Sequence, residues 1–176
     1  MTTPDEDRFK AVPSGAPDDP EALAEKLARA VEAPERGHEI RVSLDVEGGS
    51  HDERYELHFD ASGAGDATAA MRSALDGKAV PPQTKRLPGR SRTQLLRALD
   101  VAKLARAATG RPRIPPDSLV GRLEVTDGEQ RVTVVFMAEP QQARTAGFEL
   151  PPELQKAVDT IYTLAARHLG ERDIRP

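Results

Sequence analysis

Cysteine and tryptophan are absent from this chain of 176 residues, and aromatic residues amount to only 3%. Without thiols there is no disulfide framework, no cysteine nucleophile and no zinc site built on thiolates. No stretch approaches the run of roughly 18 apolar residues that a membrane helix needs. The opening "MTTPDEDRFKAVPSGAPDDPEALAEKLARA" is acidic and proline-rich, where a secretion signal would be basic and then apolar, so the expectation is a soluble, cytoplasmic protein.

Hydrophobic residues make up 38%, charged residues 31%, and prolines number 15. That composition fits one domain with a modest core of Leu, Val, Ile and Ala. The net charge of −4 hides an asymmetry. Residues 1–66 carry 17 acidic against 7 basic side chains, whereas residues 67–113 carry 11 basic against two acidic, Asp76 and Asp100. A cationic block of this kind attracts nucleic acid, an acidic protein surface, or the chain's own acidic N-terminal portion.

Residues 1–19 read as a disordered acidic tail, 20–170 as a single domain and 171–176 as a C-terminal tail. Pro20 follows two capping aspartates, Asp18 and Asp19, and Leu23, Leu27, Ala30 and Val31 recur at helical spacing, so a short helix opens the domain. "IRVSLDVEGG" alternates with period two and, with Tyr55, Leu57 and Phe59, forms a hairpin. "GDATAAMRSALDG" reads as a helix of about three turns from Asp66 to Gly77. The segment 78–90 reads as an exposed basic loop. Ser91 and Gln94 have capping-box spacing at the start of a helix running to a Gly110 cap. A last helix begins at Pro151-Pro152, with Leu154, Val158, Ile161, Ala165 and Leu169 on one face.

Between those helices, "SLVGRLEVTDGEQRVTVVF" alternates on both sides of Asp127-Gly128. A two-residue primed turn there places Leu119 opposite Phe136, Gly121 opposite Val134, Leu123 opposite Val132 and Glu124 opposite Arg131. The two hairpins predict an α+β fold: a four-stranded antiparallel sheet packed against two main helices, with extra short N-terminal and middle helices.

Catalytic chemistry finds no pattern. The histidines are His38, His51, His58 and His168, with no H-E-x-x-H, and neither a phosphate loop nor a nucleophile elbow is present. The expectation is a protein that is no enzyme, with no cofactor, no metal and no catalytic residue. The basic segment 78–113 supplies the candidate partner-binding residues Lys78, Lys85, Arg86, Arg90, Arg92 and Arg97. With no aromatic between Phe59 and Phe136, single-strand stacking is disfavoured, while contact with a nucleic-acid backbone stays open.

In order, "IRVSLDVEGG", "RYELHFD", "LLRALDVAKLA", "PDSLVGRLEVTDGEQRVTVVF" and "LPPELQKAVDTIYTLA" resemble the emfourin-like family of small bacterial inhibitors of thermolysin-like metalloproteases, over residues 40–170. This chain adds residues 1–39 and about 30 residues between Asp60 and Ser91 relative to that pattern. The resemblance implies a proteinaceous blocker of an active-site cleft, and it places no inhibitory residue here. The leading expectation is therefore a non-enzymatic protein-binding domain, sharpest as a metalloprotease inhibitor. The alternatives are an electrostatic nucleic-acid binder using the basic segment and a structural subunit of a larger bacterial assembly.

Overall fold

The carboxylate of Asp19 accepts the amides of Glu21 and Ala22 at 3.0 and 3.1 Å, and Pro20 occupies the first turn, so helix α1 (Pro20–Glu32) starts where these residues fix it. It buries Leu23, Leu27 and Ala30. The computed structural model describes residues 19–33, 39–48, 53–60, 67–75, 78–79, 83–108, 114, 118–138 and 150–169. Residues 1–18, the loop holding His51, the Gly110 cap and residues 171–176 lie outside that set. Asp19 itself belongs to the folded unit rather than to the tail, and its amide donates to Gln130 Oε1 at 2.7 Å.

Strands β1 (Arg41–Gly48) and β2 (Glu53–Asp60) form the expected first hairpin, with Val42 opposite Phe59, Leu44 opposite Leu57 and Val46 opposite Tyr55. The segment from Asp66 to Gly77, expected to be helical, instead holds strand β3 (Ala67–Leu75). Its stripe consists mostly of alanine, which packs in either period. Pairing with β2 from Thr68 to Ala74, and with further strands on the other edge, satisfies its backbone in the sheet and overrides the helical preference. The expected loop 78–90 likewise holds strands, β4 (Lys78–Ala79) and β5 (Gln83–Leu87), both paired with β3, and Leu87 is fully buried.

Two helices, not one, occupy the stretch that follows: α2 (Gly89–Ala98) and α3 (Val101–Ala108). Leu99, in an extended conformation, ends the first, and Asp100 starts the next, its carboxylate accepting the Lys103 amide at 3.2 Å and its carbonyl the Leu104 amide at 2.8 Å. Ser91 and Gln94 do not form the expected cap. Helix α2 begins two residues earlier, behind Pro88, with no side-chain cap.

The second hairpin, β6 (Leu119–Thr126) and β7 (Arg131–Met137), has a register two residues away from the expected one: Gly121 faces Phe136, Leu123 faces Val134, Val125 faces Val132 and Thr126 faces Arg131. The turn contains four residues, 127–130. The Asp127 carboxylate accepts the Glu129 and Gln130 amides at 2.9 and 2.6 Å, while Thr126 Oγ1 donates to the Gln130 carbonyl at 2.7 Å. Gly128 takes a positive φ, 93°. A shift of two preserves both faces, which is why the alternation could not exclude it.

β6 also pairs antiparallel with β1, so the hairpins join. Among the described residues the sheet is wider than the expected four strands: seven, ordered β4-β3-β2-β1-β6-β7, with β5 sharing the outer edge of β3 with β4. Towards the β7 edge the three strands β1, β6 and β7 alternate cleanly, burying Val42, Leu44 and Val46, then Leu119, Leu123 and Val125, then Val132, Val134 and Phe136. The last helix, α4 (Pro152–Leu169), buries Leu154, Val158, Ile161 and Ala165 as expected, together with Ala157, Tyr162 and Leu164. All four described helices contribute to one core cluster with the sheet, an α+β arrangement in which α3 lies on β7 while α4 contacts β3 and β5.

Candidate functional site

Most described cations are spent inside the fold. Lys26 on α1 pairs with Asp127 and with Glu129, at 3.2 Å from the latter, and ties α1 to the β6–β7 turn. Lys103 bridges Asp100 and Glu153, at 3.3 and 3.2 Å, and Arg122 and Arg131 flank Glu124. These contacts set the local ionisation. The Lys26 ammonium is held above its ordinary range by hydrogen bonds to Asp127 and Glu129. Burial alone would raise the Asp127 carboxyl, but Lys26 and the Gln130 and Glu129 amides outweigh it, so the group ionises more readily than usual.

Among the described residues, five cations enter no ion pair: Lys85, Arg90, Arg97, Lys156 and Arg167. All five stand on β5, α2 or α4, elements that touch one another. Lys85 ends in solvent on β5, and Arg90 and Arg97 are exposed on α2. They are seven residues apart, about 10 Å along the helix axis and on one face of it. Lys156 faces them from α4. Between the helices runs an open groove of about 710 Å³ lined by Gly89, Arg90, Thr93, Gln94, Arg97, Ala98, Lys156 and Thr160. It continues into a shallower depression that includes Gln155, Asp159 and Thr163.

Of the six residues named from sequence, the structure brings Lys85, Arg90 and Arg97 to this face. Arg86 is exposed on β5 and engaged within the fold. Lys78 stands opposite Leu75 in β4, its side chain outside the described set. Arg92 is a correction: it is 2% exposed and engaged in the interior, so it is no part of a docking surface. The reason was available, since Arg92 precedes Leu95 and Leu96 by three and four residues and must share their buried face. Lys156 and Arg167 were missed. With Thr160 and Thr163 they form a polar stripe at spacings of four, three and four, on the side of α4 away from its apolar stripe.

One further polar contact joins the same elements. Ser91 Oγ, 5% exposed near the start of α2, is hydrogen-bonded to His168 Nε2 in the last turn of α4 at 2.9 Å. Burial, then Arg167 and Lys85, hold His168 below its ordinary pKa, so its neutral form is favoured. A serine this enclosed is a tie between helices rather than an accessible nucleophile. No group of three or more potential metal ligands gathers among the described residues, and none of the described helices is long and apolar enough to cross a membrane. No protein-family model and no curated protein matches the chain.

Proposed function

We propose that this chain is a non-enzymatic protein-binding domain that docks an acidic surface of its partner against the β5–α2–α4 face. The observation that carries the reading is the segregation of charge: cations elsewhere in the described fold are paired or engaged, while Lys85, Arg90, Arg97, Lys156 and Arg167 remain uncompensated on neighbouring elements. Charge left unneutralised on one face steers association with an oppositely charged partner. Inhibition of a thermolysin-like metalloprotease is the sharpest form of this reading, supported by the motif order that resembles the emfourin-like family. In that form the basic face meets acidic residues around the protease cleft, and no zinc ligand from this chain is needed. Nucleic-acid binding is less favoured, because burial of Arg92 removes one of its six cations and Asp159 adds a negative charge beside the groove.

Titration of a thermolysin-like protease with the full chain tests the sharp form. A fall in peptidase activity towards zero near molar equivalence supports it, and full activity at large excess rules it out.

A further inference from the structure

We infer that the groove between α2 and α4 receives an acidic helix of the partner, one that carries two carboxylates seven residues apart. The inference rests on the protein-binding reading above and specifies the shape and charge pattern of what is bound. Arg90 and Arg97 repeat along α2 at two helical turns, about 10 Å, and 700° of rotation returns them to within about 20° of one another. A helix laid alongside α2 presents carboxylates at the same interval when they too are seven apart. An acidic extended strand covers that distance in about three residues, which point to alternating sides and so do not offer both carboxylates to one wall.

The floor fits a helix as well. Gly89, Thr93 and Ala98 on α2 and Thr160 on α4 are small, which permits the close axial approach of about 8–10 Å found between packed helices. Lys156 contributes a third positive charge from the opposite wall, and among the described residues none that lines this groove is acidic. Thr93 Oγ1 is turned back to the Gly89 carbonyl at 3.0 Å and Thr160 Oγ1 to the Lys156 carbonyl at 2.8 Å. Both threonines therefore present their methyl groups as well as satisfied hydroxyls. The occupant is an amphipathic segment held by charge at its edges and by close packing along its centre.

Fluorescence anisotropy with two labelled helical peptides of about 18 residues, identical in composition and differing only in whether the paired glutamates are seven or four apart, tests this. The seven-spaced peptide should bind about fivefold more tightly to the full chain, Arg90→Ala and Arg97→Ala should each weaken it about fivefold and erase the preference, and Arg29→Ala on α1 should leave it unchanged. Equal binding of the two peptides, with dependence on Arg90 and Arg97 retained, overturns the helix spacing while the docking face stands. Indifference to both arginines, or tighter binding of a 16-base-pair DNA duplex than of either peptide, overturns the inference and the docking face together.

Discussion

Gly121 faces the Phe136 ring so closely that a Cβ built on it would lie 2.5 Å from the ring's Cζ. The aromatic fills the space that a side chain on β6 would take. Gly121→Ala should therefore destabilise the fold by about 1–3 kcal/mol in urea unfolding, and much less in a Phe136→Leu background, where the obstructing ring is gone. Equal losses in both backgrounds would show that the ring is not the obstacle. Asp127 makes a second residue-scale case. Its folded carboxyl ionises at lower pH than the unfolded one, so the stability it contributes is present above its unfolded value, near 3.8, and is lost as pH falls through the lower folded value. Asp127→Asn should unfold more readily than wild type at pH 6, and the difference should shrink towards pH 2. The sequence showed that Asp127-Gly128 turns the chain. It did not show the length of the turn, because that depends on the Asp127 carboxylate accepting two amides and on Lys26 arriving from α1 to neutralise it.

Periodicity was legible where side chains differ strongly in polarity and illegible where alanine dominates. The alternation of β1, β6 and β7 and the apolar stripe of α4 were readable because Val, Leu and Ile alternate with charged or hydroxyl residues. β3 was not, since "ATAAMRSAL" suits a helix until β2 and β5 offer it hydrogen bonds on both edges. The break between α2 and α3 was hidden for a related reason: the apolar stripe continues through Leu99 and Val101, and only the capping by Asp100 divides it. The Ser91–His168 bond joins elements 77 positions apart and left no trace in local spacing. It does predict a pH response. His168 gives up its proton more readily folded than unfolded, so unfolding takes up a proton between its ordinary value near 6.5 and the lower folded one, and stability declines as pH drops through that window. The melting temperature of wild type should fall more between pH 7.5 and 5.5 than that of His168→Gln. An equal fall in both would remove His168 as the cause.

At the scale of the molecule, the acidic total conceals a face of positive charge. The basic segment was visible in the sequence as a count, but which of its members reach solvent without a partner was not, because that depends on the burial of Arg92, the engagement of Arg86 and the arrival of Lys156 and Arg167 from the far end of the chain. Helices α2 and α4 turn their apolar faces into the core cluster and set Arg90, Arg97 and Lys156 along the groove between them. That surface makes the account of function open to a direct measurement: titration of a thermolysin-like metalloprotease with the full chain, beside the Arg90→Ala, Arg97→Ala, Lys156→Ala triple variant. The account predicts stoichiometric loss of peptidase activity with wild type, weakened at higher salt, and an inhibition constant at least about tenfold poorer for the triple variant. A protease untouched by wild type, or inhibited equally by the variant, would contradict it.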